Sequence, residues 1–143
     1  MENNPLGFAL QAIKTEQFAT FEKNHSAKKE VSLTTDIEFK INTENKQVGV
    51  YTTFSFDQSK KVFIKIQVSC HFEISLDTWN SLLSENKIIF PHTFITHLAV
   101  LTIGTARGVL HSKTEGTEFN KYILPTLDIS KMFTKDVEFI LEK

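Results

Sequence analysis

Cys70 and His71 stand side by side, and a thiol next to an imidazole is the first pair in this chain that could act as a nucleophile with its base. The pair falls inside an alternating run from Val62 to Ile74, however. That run predicts a strand, whose neighbouring side chains point to opposite faces, so Cys70 reads as a small core residue. The five histidines show no HExxH or paired-cysteine spacing and give no metal signature; His92 and His97, five apart, diverge on a helix. The glycines are scattered, which excludes a dinucleotide fingerprint and a phosphate-cradling loop, and no cofactor is implied. Glu73, Asp77 and Glu85 cluster near a strand-to-helix junction and could supply an acid–base carboxylate. Asp77 is explained more simply as a helix cap.

With no catalytic constellation in view, the elements that carry these residues become the main signal. Apolar and polar side chains alternate through three runs. Val31, Leu33, Ile37, Phe39 and Ile41 mark the first; Val48, Val50, Phe54 and Phe56 the second; Val62, Ile64, Ile66, Val68, Cys70, Phe72 and Ile74 the third. The polar links at 42–46 and 57–61 are short enough to join antiparallel neighbours, so the runs form a meander with one apolar and one solvated face. Upstream, Phe8 to Ile13 alternates and then slips by one residue, as a strand does at a bulge, and residues 8–21 are expected to form a first, edge strand. Glu22 to Glu30 reads as an exposed crossover.

Downstream the pattern turns helical. A short helix carrying Trp79, Leu82 and Leu83 follows Asp77, and Pro91 opens a long helix from about His92 to His111. Phe94, Ile95, Leu98, Ala99, Leu101, Ile103, Ala106, Val109 and Leu110 occupy more than half of that helix's circumference, more than one sheet can cover. The remaining arc holds Thr93, His97, Val100, Gly104, Arg107, Gly108 and His111, of which His97, Val100, Gly104 and Gly108 stand out. Glycines weaken a helix interior, so two of them four apart suggest close approach of another backbone and mark these four residues as a candidate subunit interface. Asp128 is placed to cap a last helix with Ile129, Met132, Phe133, Val137 and Ile140.

The chain has 143 residues, the size of one domain, and its 41% hydrophobic and 23% charged residues suffice for a packed core. Sixteen basic against seventeen acidic residues, without a charge run, exclude an electrostatic nucleic-acid reader. One cysteine excludes an intramolecular disulfide, and Met1-Glu2-Asn3-Asn4-Pro5 lacks the build of a secretory leader, so the cytosol is the expected compartment. The stretch from Ile88 to Ala106 is free of charge but interrupted by Pro, His and Thr, a buried helix rather than a membrane span. The outlying number is 13 Phe against 1 Trp and 2 Tyr. Phe39, Phe54, Phe56 and Phe72 belong to the inner face of the sheet. Phe63 and Tyr51 fall on the polar face by parity, where exposed aromatics can meet a subunit or an apolar polypeptide.

The order of four strands, short helix, long helix and Leu-Pro segment resembles the SecB export chaperones. The similarity rests on Ile88-Ile89-Phe90-Pro91 running into the helix, Ala106-Arg107-Gly108 towards its end, Leu124-Pro125-Thr126-Leu127-Asp128-Ile129 before Phe133, and Phe8-x-Leu10-x-x-Ile13 in the first strand. It spans roughly Phe8 to Phe133. The resemblance implies an α+β fold, a four-stranded antiparallel meander with a long helix on one face and a short C-terminal helix, in one domain over residues 1–143. It implies an ATP-independent holdase that binds unfolded or preprotein chains and assembles as a dimer or tetramer, with polypeptide contacts at Tyr51, Phe63, Phe90, Phe94 and Leu124. Docking of the SecA motor through acidic residues of the sheet is implied as well. At the corresponding position of the last strand stands Lys65, a reversed charge, which leaves Glu16 and Glu22 as the acidic candidates, and the chain stops at Glu142-Lys143 without the family's acidic tail. The crossover 26–30 is polar where the family carries an aromatic anchor. Two other readings stand beside this one: a dedicated chaperone of a single partner such as an antitoxin, and a small-ligand binder or hotdog-like enzyme acting through His92 at the start of the long helix.

Overall fold

The computed structural model describes residues 6–141. The readings of the first five residues as no leader and of Glu142-Lys143 as no acidic tail lie outside the described residues. Four strands, β1 (Phe8–Thr20), β2 (Ser32–Asn42), β3 (Gln47–Gln58) and β4 (Lys61–Ile74), form one antiparallel sheet in the order β1-β4-β3-β2. The expected edge strand is therefore an edge, and the crossover must span from one margin of the sheet to the other. Ser59 and Lys60 both take positive φ, 50° and 67°, the handedness that lets a two-residue turn match the twist of β3 and β4. β1 slips against β4 between Leu10 and Ala12, as its sequence predicts, and again between Thr15 and Gln17. The two bulges keep Leu10, Ile13, Thr15 and Phe18 opposite Phe72, Cys70, Val68 and Ile66, all on the helix side of the sheet.

A third irregularity decides where an aromatic goes. Phe56 pairs with Ile64 and Asp57 with Val62, so Phe63 is the extra residue of a bulge in β4. Strict alternation would leave it on the polar face; the bulge turns it inward, where it is 0% exposed. The expectation of an exposed Phe63 is thus corrected.

The short helix α1 (Leu76–Leu82) is capped by Ser75, whose Oγ accepts from the Thr78 amide at 3.3 Å; Asp77 sits inside the first turn and is not the cap. Gly7 lies so close that a Cβ there would come within 2.6 Å of Ser75 Oγ, which fixes glycine at this crossing of the chain. Leu83–Ser84 (β5) and Lys87–Phe90 (β6) then form a hairpin, followed by the long helix α2 (His92–Lys113). By length and hydropathy α2 could cross a membrane, yet Phe94, Ile95, Leu98, Ala99, Ile103, Ala106 and Leu110 are buried in this fold. Its first half packs on Val48, Val50, Phe72 and Trp79, its second half on Phe54, Phe56, Ile64 and Ile66.

The terminal helix expected after Asp128 is not formed. Ile129–Lys131 is a single 3-10 turn, and Val137–Ile140 is a strand, β7, paired antiparallel with β6 in a second, three-stranded sheet. The spacing of Ile129, Met132, Phe133, Val137 and Ile140 imitates a helical period, but from Val137 to Ile140 the side chains alternate between half-buried and exposed, and β6 offers an open edge for them. Asp136, just before β7, does what no residue next to α2 does. Its carboxylate accepts from the His92 amide at 2.9 Å, capping a helix whose own N-cap residue is Pro91 and has no capping side chain. That backbone bond, and then the His92 ring, hold the Asp136 carboxyl below its usual range.

Candidate polypeptide-binding and self-association surfaces

The residues singled out as polypeptide contacts are not brought together. Tyr51 lies half-buried on the outer face of the sheet, with Lys40 Nζ 4.5 Å from its ring centre and the His71 ring edge-on at 5.6 Å. Phe90 and Phe94 are stacked core residues beneath the start of α2, where Phe94 also meets Phe8. Leu124 is core beside the second half of the helix. Phe63 sits at the crossover end. Glu16 is exposed in the second bulge of β1 and Glu22 opens the crossover, while Lys14, Lys40 and Lys65 stand on the sheet's outer face.

Around Phe63 the chain has built a cluster that its sequence does not announce. The His25 side chain, 6% exposed, lies 4.8 Å from the Phe63 ring and 5.0 Å from that of Phe119. Its Nδ1 is 3.0 Å from Glu118 Oε1 and its Nε2 is 2.7 Å from the Tyr122 hydroxyl. With the proton on Nδ1, the ring donates to the carboxylate and accepts the phenol proton. One histidine thereby ties the crossover to the segment that follows α2. Gln58 ties the same loop to the sheet: its side-chain amide accepts from the Ser26 amide and donates to the Ser26 carbonyl, both at 2.7 Å. The crossover, polar over 26–30 as its sequence shows, is held instead by the His25 imidazole, which packs on two aromatic rings and makes two hydrogen bonds. An isolated histidine in a polar loop has no periodic signal, which is why sequence reasoning misses it.

Arg107 is the second anchor. Its Nε donates to the Leu124 carbonyl at 2.7 Å and an Nη to the Pro125 carbonyl at 2.9 Å, holding the Leu-Pro segment along the helix. Phe133 continues that segment onto Phe39 of β2, ring to ring at 5.3 Å. A small cleft between Val100, Ile103 and Arg107 on the helix and Leu127 and Ile129 on the segment leaves apolar side chains reachable from solvent. Val31, Ile123 and Met132 are exposed apolar residues of the same connecting and edge segments.

The other uncovered surface is formed by β1 and the outer side of α2. Leu10 and Ile13 point to the helix side of the sheet yet are 47% and 51% exposed, because α2 does not extend over the edge strand. On the helix, His97, Val100, Leu101, Gly104 and Gly108 are exposed, and Phe8 bridges the two elements through the His97 ring at 5.6 Å. A Cβ built at Gly104 or Gly108 would meet nothing within 4 Å, so nothing inside this chain requires glycine at either place. In an isolated chain Gly104→Ala and Gly108→Ala should therefore each stabilise α2 by about 1 kcal/mol. If the glycines admit a neighbouring subunit, the same changes should weaken self-association while raising the thermal midpoint of the dissociated chain. Light-scattering mass against dilution, with thermal melts alongside, reads both effects.

His92, the candidate of the enzyme reading, stands at the first residue of α2 with a half-exposed ring whose Nδ1 is 3.2 Å from Asp136. Its geometry is that of a helix-start contact. Cys70 points into the core and His71 outward, as their places on β4 require.

Four antiparallel strands in the order β1-β4-β3-β2, with a long helix on one face preceded by a short one, make a SecB-like α+β fold. The particular likeness is to the Rv1957 SecB-like chaperone of Mycobacterium tuberculosis, solved in complex with a ChAD peptide from the Rv1956 HigA1 antitoxin. The TM-score is 0.53 at 10% identity, over 84% of this chain and 90% of that one. A protein of unknown function from Streptococcus agalactiae superposes with a TM-score of 0.41 at 13% identity, over 87% of this chain and 99% of the other. No protein-family model matches the chain, and no curated protein matches it by sequence.

Proposed function

We propose that this chain is a SecB-like polypeptide-binding chaperone, a holdase that works without ATP in the cytosol, has no enzymatic activity and assembles as a dimer or tetramer. The observation that carries the reading is apolar surface left open at both margins of a SecB-like sheet. Leu10 and Ile13 are uncovered beside α2, and Val31, Ile123 and Met132 are exposed on the β2 and post-helix side. Exposed apolar side chains spaced along a surface bind extended chains by several weak anchors, without a sequence code. In this reading the β1 and α2 face is covered by a second copy, and the β2 side with the Leu-Pro segment meets the client. Phe90, Phe94 and Leu124 then serve as the core that shapes those surfaces, and the client-facing apolar residues are Val31, Ile123 and Met132.

A second reading, a chaperone dedicated to one partner, is favoured by the antitoxin peptide held by the Mycobacterium tuberculosis neighbour. One experiment tests the class and separates the two. The chain is expected to have a mass of at least twice 16.4 kDa and to suppress aggregation of a chemically denatured model protein without nucleotide. A general holdase protects several unrelated model proteins; a dedicated one protects none of them but copurifies with one partner in fixed ratio. A monomer with neither property overturns the proposal.

A further inference from the structure

The face of the sheet turned away from α2 carries a recess that the chaperone reading leaves unused. Lys14 from β1 and Lys40 from β2, on opposite edges of the sheet, line with Tyr51 and His71 an open recess of about 260 Å³ around Gly49. Gly49 is buried beneath the Tyr51 and His71 rings. A Cβ there would stand 3.0 Å from Tyr51 Cε1 and 3.2 Å from His71 Nδ1, so any larger residue would drive the two rings apart. His71 Nε2 is engaged with Ser69 Oγ at 2.9 Å, and its Nδ1 is the nitrogen over Gly49. Asn42 and Gln47 line the same space, and their side-chain amides are neutral donors.

Among the described residues, the two lysines of this recess lack close ion pairs. Lys40 has Glu38 at 3.9 Å, the outer limit of an ion pair between two exposed side chains. Among the described residues, Lys14 has no carboxylate in ion-pairing range. Its ammonium adds to burial in holding the His71 imidazolium below its usual range, against the opposing pull of Glu16. Glu73, opposite Gln47 on β4, is exposed and is the remaining carboxylate on that row of the sheet.

We propose that the recess binds a compact oxyanion, a phosphate group above all, seated between the Lys14 and Lys40 ammoniums with the Asn42, Gln47 and Tyr51 side chains as further donors. Two ammonium groups suit a doubly charged phosphate better than a single carboxylate. A bound anion adds counter-charge beside the ring, so it favours the protonated His71 and moves its titration upward, while protonation of the phosphate itself, with a second pKa of about 6, opposes any gain in affinity at lower pH. The recess and the apolar margins lie on different surfaces, so the two proposals fail independently.

The test is a titration of the full chain with inorganic phosphate at constant ionic strength, followed by the Gly49 amide and the His71 ring protons in NMR spectra, with acetate as a parallel arm. Saturable shifts confined to these residues, an upward move of the His71 titration when phosphate is present, and at least about tenfold weaker binding in Lys14→Gln/Lys40→Gln support the proposal. Saturation by acetate alone, with the same dependence on both lysines, overturns the phosphate assignment in favour of a carboxylate. Shifts that stay linear with both anions, or persist unchanged in the double variant, overturn it. The variant's thermal midpoint serves as the folding control, since both lysines are exposed.

Discussion

Phe63→Ala is expected to cost about 3–5 kcal/mol of folding free energy, the range for truncating a fully buried aromatic. The ring is 0% exposed and lies within 4.8–6.4 Å of His25, Phe56, Phe119 and Tyr122, so its loss opens a cavity between the crossover, the sheet and the segment after α2. The surrounding backbone has little freedom to collapse into that space. The Phe63 carbonyl accepts from the Phe21 amide at 2.8 Å, and His25 is fixed through both ring nitrogens. Domains of this size have roughly 5–15 kcal/mol in total, so the variant should be partly unfolded at ordinary temperature or melt far below the parent. Urea denaturation followed by circular dichroism gives the number. An unchanged midpoint, with loss of client binding alone, would restore Phe63 to the surface role that strict alternation assigns it. Phe63→Leu provides the graded control, because it keeps most of the apolar volume and should lose much less.

Leu10→Asp combined with Ile13→Asp should reduce the assembly to single chains while leaving each chain folded. Both side chains are about half exposed in the isolated chain, so a carboxylate at either place stays in water and the sheet keeps its hydrogen bonds. Placed in a subunit contact, the same carboxylates would be buried without partners, a cost of several kcal/mol per contact that an interface of moderate affinity does not survive. The mass should fall to 16.4 kDa with an unaltered far-ultraviolet spectrum. Suppression of aggregation should fall with it if client binding needs several copies acting together. A double variant that keeps its parent mass places the subunit contact elsewhere and leaves the β1 margin without a part in assembly.

These two predictions mark the boundary of what a sequence of this kind discloses. β2 is the transparent case: its side chains alternate between exposed and half-buried from Ser32 to Asn42, and the sequence shows the same period with Thr35 as the one polar residue at an inward place. α2 is nearly as clear, although Thr102 takes an inward place with its hydroxyl donating to the Leu98 carbonyl, while Leu101 turns outward. Phe63 was hidden because a bulge adds one residue to the count and reverses parity locally, and its cause, a register slip against β3, lies on another strand. The helix cap from Asp136 and the His25 anchor were hidden for a related reason. Each joins residues far apart in the chain, 44 positions for the first and 93 or more for the second, and no local pattern records such a partner. β7 was misread because residues three and four apart satisfy a helical stripe equally well until the neighbouring open strand edge is known.

That last strand also bears on how the chain comes into being. The four large strands can pair once residue 74 has been made, because every partner of β4 precedes it in the sequence. α2 has its side chains ready against that sheet by residue 113. Its first turn, however, receives its cap from Asp136, and the strand leading into it gains its second neighbour only from Val137–Ile140. During synthesis from the N-terminus the root of the helix therefore stays uncapped after the four-stranded sheet and the rest of α2 have been made, and it is closed only when Asp136 and Val137–Ile140 follow. A chain released before that point would carry a complete sheet and a frayed helix start, with Phe90 and Phe94 short of their final cover from Phe139 and its neighbours.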